Sequence, residues 1–308
     1  MKAIRLIWAS LLVLIMPAVL AGCAPSIEVR PGEGGLEKLP RLEIPKPGHP
    51  TPTNVEYTVE AIPRVSSAAM VYRFKTPEVS EELANQLAQS FNLKGSVQFE
   101  PRHQVYSIRE GSRLFWIEAK TGKWSYQDNT NPGHPEKLPS SDEAKRLALD
   151  FLARLGFSPE RFQVTVTSLT ESTGPGKPEV PLARVVYFYP RLDGQAILGV
   201  SRIVVTIGDN GTIVGVNKFY KEIEPYKLYP LKRWEEALEE MKQGKGSNNL
   251  HPLATKATIT EVQLRYWEDP GPVSEQPFLQ PVYVFRGYTL INGKKESFDC
   301  VIPATDET

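Results

Sequence analysis

The chain has 308 residues, with 36 Lys and Arg against 36 Asp and Glu, and 41% of its residues are hydrophobic. This length allows two or three domains, and the composition is that of a folded globular protein. The balanced charge argues against a nucleic-acid binder, which normally carries a basic surplus. The low counts of 2 Cys and 4 His argue against a disulfide scaffold or a Cys/His zinc cluster.

The first 22 residues have the form of an export signal. Lys2 and Arg5 precede an apolar run over residues 6–20, which Pro17 interrupts. A basic start, an apolar run and small residues before a cleavage site are typical of a signal peptide. The run is too short for a comfortable membrane span of about 20 residues. We therefore expect residues 1–22 to be a signal peptide.

Cys23 is the candidate lipidation site. The segment Leu20-Ala21-Gly22-Cys23 resembles the lipobox of bacterial lipoproteins, in which the cysteine becomes the acylated N-terminus. The resemblance implies a membrane anchor on Cys23 and an extracytoplasmic location, and two acyl chains make such an anchor stable. The alternatives are an ordinary signal peptide or an uncleaved anchor, with a cysteine at this position by chance.

Residues 23–54 are predicted to be a tether. Seven prolines and four glycines fall between Pro25 and Pro52, and the few apolar residues show no period. Such a composition favours a semi-extended linker. The sequence therefore predicts that the folded region begins near residue 55.

From residue 55 onward the pattern is that of short strands and amphipathic helices. Alternation predicts strands over 55–62 and 69–74, and Ser80 is the expected N-cap of a helix that ends near Phe91. Further strands are predicted up to 124–126. We assign residues 55–137 to a first α+β domain.

Two more rounds of the same pattern follow. Ser140 begins a predicted capping box with Glu143, and Gly156 is the expected end of that helix. A third helix starts near Leu231. Residues 138–308 are therefore predicted to contain two further units, each a helix followed by an antiparallel meander. The predicted fold class is α+β, with repeated units of one helix on a β-meander.

The units resemble PepSY-type domains. The resemblance lies in the helix ending near Phe91, the run 95–100 and the strand-plus-turn run 114–123, which 203–214 echoes. The C-terminal part is similar to YycH/YycI-type two-component regulators, on residues 189–194 and 281–285. That likeness implies a membrane-tethered modulator of a sensor kinase, although those regulators usually have a transmembrane helix. Neither family implies catalytic residues.

An aromatic hairpin is the candidate binding surface. Trp116, Trp124 and Tyr126 fall on two predicted neighbouring strands and present rings that suit a sugar or a peptide. The alternative is that these rings pack as cross-strand pairs over the sheet. The sequence contains no nucleophile elbow, metal-ligand spacing or phosphate loop, so we expect no catalytic residue, no cofactor and no metal.

The sequence thus predicts a non-enzymatic extracytoplasmic lipoprotein. Its expected partners are the membrane, through lipid on Cys23, and an envelope protein such as a sensor kinase or a wall or peptide hydrolase, with no nucleic acid. One alternative is a carrier that holds an apolar ligand between sheet and helices. The other is a wall-associated hydrolase that uses Glu118 and Asp128.

Overall fold

The computed structural model describes residues 37–46, 48, 52, 54–60, 64–130, 134–172, 174 and 177–305. All of these beyond Glu37 belong to one compact unit, Lys38–Thr308. The predicted signal peptide and Cys23 lie outside the described residues. Within the described ranges, no helix is long and apolar enough to cross a membrane.

The described chain has an α+β fold. It forms three α-helices, which are α1 (Glu81–Ser90), α2 (Ser141–Arg154) and α3 (Trp234–Lys242). Its strands are, in chain order, β1 (Glu56–Val59), β2 (Ala68–Phe74), β3 (Gln98–Glu100), β4 (Val105–Glu110), β5 (Arg113–Glu118), β6 (Trp124–Asp128), β7 (Phe162–Ser172), β8 (Glu179–Leu192), β9 (Gln195–Ala196), β10 (Leu198–Gly199), β11 (Ile203–Ile207), β12 (Ile213–Lys218), β13 (Ile223–Pro230), β14 (Ser247–Asn248), β15 (Lys256–Glu268), β16 (Phe278–Ile291) and β17 (Lys294–Pro303).

The larger sheet is antiparallel and has nine strands. Its order is β3-β4-β5-β6-β12-β11-β8-β7, with β9 on β8. The two halves of this sheet join where β6 pairs with β12, and Tyr126 lies opposite Val216 there. Helices α1 and α2 both cover one face of this sheet, because their buried alanines share a core with its alternate strand residues.

The smaller sheet has eight strands and follows the order β1-β15-β16-β17-β14, with β10, β2 and β13 attached. Strand β1 runs parallel to β15, and β2 pairs with β13 and β16. Residues 55–137 were predicted as one domain, yet their first two strands belong to this C-terminal sheet. Alternation identifies a strand but not its partner, so the sequence could not reveal this pairing.

Both predicted N-cap serines cap their helices. Ser80 Oγ accepts a hydrogen bond from Leu83 N at 3.1 Å, and Ser140 Oγ accepts one from Glu143 N at 3.2 Å. Gly156 follows α2 with φ +83°, a conformation that glycine adopts at little cost. These local contacts fix where α1 and α2 begin and where α2 ends.

Part of the predicted tether is packed against the smaller sheet. Leu42 and Ile44 are only 5% and 9% exposed, and they contact Val282 and Val284 of β16. We call residues 38–46 the strap. The tether prediction does not hold for the strap, whose apolar residues are spaced by three and then two and so match neither a helix nor a strand period.

The strap and α3 lie on opposite faces of the smaller sheet. Tyr283 and Phe285 alternate with the two valines of β16, and they belong to the core that α3 covers. Gln280 Nε2 donates to Pro40 O at 2.8 Å, and Lys46 Nζ donates to Gly244 O at 3.2 Å. The strap therefore covers sheet surface without adding a strand to it.

Candidate binding site

The predicted aromatic cluster divides between the two faces of the larger sheet. Trp124 and Tyr126 are 3% and 5% exposed and lie in the core beneath the helices. The ring of Phe91 stacks on Tyr126 with centroids 4.2 Å apart. Trp116 is half-buried and points to the opposite face. Of the three predicted binding residues, only Trp116 is therefore on an accessible surface, while Trp124 and Tyr126 pack in the core beneath the helices.

The face that carries Trp116 is the one that α1 and α2 leave uncovered. The registers of eight strands align one residue from each in a row straight across it, in the order Gln98, Ser107, Trp116, Ser125, Asn217, Val204, Tyr187 and Thr165. We call this face the open face and this set the transverse row. A neighbouring row contains Leu114, Gln127 and Val185.

Two aromatic positions flank a polar centre in the transverse row. Ser125 Oγ donates to Asn217 Oδ1 at 2.7 Å in the middle of the row. Trp116 and Tyr187 lie four strands apart, or about 19 Å at the usual strand spacing. Tyr187 also stacks on Tyr189, with ring planes only 7° apart. Ser125 is fully buried, so a partner could contact the row mainly through the half-buried rings of Trp116 and Tyr187. Rigid amphipathic rings are suited to such contact.

Two open clefts border the strap on the other sheet. One of about 740 Å³ lies between the strap and the end of α3, and its lining includes Arg41, Glu43, Lys232 and Glu240. The second, of about 550 Å³, lies between the strap and the loop after β15. The larger cleft is lined mainly by charged and polar groups, which suits a polar ligand better than an apolar one.

A buried ionic cluster joins the larger sheet to the end of β15. Glu268 is 1% exposed, and its Oε1 accepts a hydrogen bond from Lys221 N at 2.9 Å. Lys221 Nζ lies 4.0 Å from the same oxygen and donates to Asp269 O and Gly271 O at 2.9 Å each. We call Glu268 and the lysines around it the junction.

Two further lysines and a serine face the Glu268 carboxylate. Lys123 and Lys218 both contribute to its electrostatic environment, and Lys123 Nζ donates to Pro270 O. Ser201 Oγ and Glu268 Oε2 are both buried, and neither makes a hydrogen bond of good geometry among the described residues. The carboxylate is therefore only half-satisfied, an arrangement that is costly in a dry interior.

Burial controls the protonation of the junction. It raises the pKa of Glu268 to about 7, although Ser201, Lys221 and Lys218 oppose that shift. Burial also lowers the pKa of Lys221, more than the nearby Glu268 charge raises it. For both groups the loss of water outweighs their mutual attraction. The junction is thus placed to change its charge near neutral pH.

The sequence did not indicate the strap or the junction. Alternation over residues 258–267 predicts a strand that ends just before Glu268, and Lys221 falls in a link with no recognisable motif. Cys300 is buried, and burial raises its pKa, as expected for a small core residue rather than a reactive thiol. Among the described residues, no group of three or more His, Cys, Asp or Glu is placed to hold a metal ion.

The comparison with protein-family models gives no match, and the comparison with curated proteins gives none either. Among solved structures, the chain is similar to the C-terminal domain of YpeB from Bacillus megaterium. The identity is 17% and the TM-score 0.31, over 74% of this chain and 99% of that one. A likeness at this level carries no argument about function, so the proposals below depend on the chain's own residues.

Proposed function

We propose that this protein is an exported lipoprotein, anchored through Cys23, whose folded part binds and modulates an envelope protein without catalysing a reaction. The partner would be a sensor kinase or a wall or peptide hydrolase on the extracytoplasmic side. The signal-like residues 1–22 and the lipobox-like end at Cys23 support the anchor. The open face supports the binding role.

We also propose that the fold contains three PepSY-like units, of which the last two resemble the YycH/YycI regulators. Helix α1 contacts β4 and β5, α2 contacts β7, β8 and β11, and α3 contacts β17. Each helix is thus placed on a different group of antiparallel strands. This arrangement supports a repeated helix-on-meander unit, and the repeated sequence pattern supports it independently.

The transverse row is the observation that carries the binding proposal. It presents Trp116 and Tyr187 on a broad sheet surface rather than in a closed pocket. Trp and Tyr are enriched at protein interfaces and often provide much of the binding energy there, and both rings of the row keep part of their surface accessible. A small ligand would favour a deeper and more apolar site.

The strap limits how far the open face could stand from a membrane. With residues 38–46 packed on the smaller sheet, only about 15 residues would separate Cys23 from the folded body. Fully extended, that length spans at most about 50 Å. The strap should therefore lie within about 50 Å of the bilayer, and the open face within that distance plus the depth of the folded body.

A photo-crosslinking amino acid at position 116 tests the proposal in cells that produce the full chain. We expect it to capture one envelope protein repeatedly. The matched control is position 288, a half-buried tyrosine on the smaller sheet, which should not capture that protein. Trp116→Ala should weaken the same association. The proposal would be overturned if both positions captured the protein equally, or if repeated experiments captured no envelope protein from position 116.

The anchor has its own test. Mass spectrometry of the membrane-extracted protein should find an acylated Cys23 as the N-terminal residue, and Cys23→Ala should release the chain from the membrane. An unmodified thiol at position 23 would contradict the anchor while leaving the crosslinking result interpretable.

A further inference from the structure

The strands at the edges of the two sheets are not alike, and β7 differs from the rest. Among the described strands, the edge strands other than β7 are short or carry features that discourage pairing. Strand β3 has three residues and β14 has two, β1 has four and includes Glu56, and β13 contains Pro225 and Pro230. Short length, charge and proline are the usual means of protecting a sheet edge.

Strand β7 has none of these protections over most of its length. It runs for 11 residues, Phe162–Ser172, and pairs with β8 alone among the described strands. It contains no Lys, Arg or Pro, and Glu171 is its single charged residue. Thr165, Thr167 and Leu169 are exposed, and Leu169 exposes 51% of its surface. A long, neutral, unprotected edge is suited to accept another strand.

We propose that β7 pairs antiparallel with β7 of a second copy of this chain, in a two-fold register centred on Val166. Each strand then presents the same edge to the other, as a two-fold symmetric interface requires. The two nine-stranded sheets become one continuous sheet, and the open faces of the two copies join side by side.

The composition of the strand supports this occupant and this register. Centring on Val166 sets Thr165 of one copy opposite Thr167 of the other, a cross-strand pair that is favourable in antiparallel sheets. Glu171, the single charged residue of β7, then lies opposite position 161, which belongs to a 3-10 turn just before the strand. No pair in this register sets like charges against each other. The shift in the β7–β8 register lies at Leu169/Thr170 and adds its extra residue to β8, which leaves β7 regular.

The chain already uses this mode of association internally. The larger sheet is itself made by joining two groups of strands edge to edge, through the antiparallel pair β6 and β12. In that pair, the core under α1 continues into the core under α2. Val164 and Val166 of β7 lie on the same core side, partly buried. A second copy would cover that exposed flank in the same way.

Sedimentation of the full chain in detergent tests the pairing. We expect a concentration-dependent monomer–dimer equilibrium, and Thr167→Lys should raise the dimer dissociation constant at least tenfold. Thr58→Lys, an equivalent charge on the exposed edge strand β1, is the matched control and should leave the constant unchanged. A chain that stays monomeric at all concentrations, or a dimer that only Thr58→Lys weakens, would overturn the proposal.

Disulfide crosslinking tests the register. Val166→Cys places two thiols across the two-fold axis, within the distance that a disulfide spans, and should give a covalent dimer on mild oxidation. Gln163→Cys places each thiol opposite Leu169 of the other copy and should not. Crosslinking through position 163 but not 166 would exclude this register. Finding a strand of a different envelope protein on β7 would exclude the second copy as its occupant.

Discussion

Replacing Glu268 by glutamine tests whether the junction takes up a proton near neutral pH. Its pKa is raised from 4.5 to about 7 in the folded protein, with burial as the largest cause. Because the folded pKa is the higher one, the folded state binds the proton more tightly. The resulting stabilisation is complete below about pH 4.5 and is lost as the pH rises through about 7. The difference between the unfolded and folded pKa values of Glu268 corresponds to about 3 kcal/mol of stabilisation of the folded state.

Urea unfolding at pH 5 and pH 8 measures this quantity. We expect the free energy of unfolding of the natural chain to fall by about 2.5 kcal/mol more than that of Glu268→Gln over this range. The other carboxyl groups and the histidines titrate in both proteins, so their effects largely cancel in the difference. Glu224→Gln, at an exposed position on β13, is the matched control and should follow the natural chain.

Parallel pH profiles for the natural chain and Glu268→Gln would refute this reasoning. Such a result would mean that Lys221 and its neighbours hold the carboxylate ionised in spite of its burial. The argument that loss of water dominates at the junction would then fail, whatever the absolute stability of the glutamine variant.

Three further experiments, two with variants and one with the natural chain, test the packing of the strap and the smaller sheet. Leu42→Ala should increase hydrogen exchange of the strap amides, as exchange mass spectrometry would show, and should lower the unfolding free energy by at most a few kcal/mol. Leu253 is 73% exposed, so Leu253→Ala should have little effect on either quantity. Gly287→Ala should disrupt the pairing of β15 with β16, because an added Cβ would lie 1.9 Å from Thr258 O; a melting temperature equal to that of the natural chain would contradict this. Cys300 should resist thiol reagents until the protein unfolds, and its labelling in native buffer would argue against burial.

Local signals in the sequence predicted much of the secondary structure. Ser80 and Ser140 identified two helix starts, because a hydroxyl beside free backbone N–H groups acts over three residues whatever the rest of the fold does. Alternating apolar residues identified most strands and hence the α+β class. The sequence located the aromatic hairpin, but alternation alone did not decide which face of the sheet the helices would cover. The covered face contains Trp124 and Tyr126, and the open face contains Trp116.

Tertiary structure alone decided the features that depend on distant partners. The pairing of β1 with β15 joins residues about 200 positions apart, and nothing within either strand specifies the other. Leu42 becomes a core residue only because Val282 and Val284 offer a face that α3 leaves bare. Glu268 acquires its high pKa from burial, which the end of a strand does not imply. The residue order alone was enough to predict both capped helix starts, most of the longer strands and the candidate anchor, because caps and alternation act over a few residues; it did not predict β13 or β14. The tertiary structure determined burial, strand partners and the junction, because these require surfaces brought together from the whole chain.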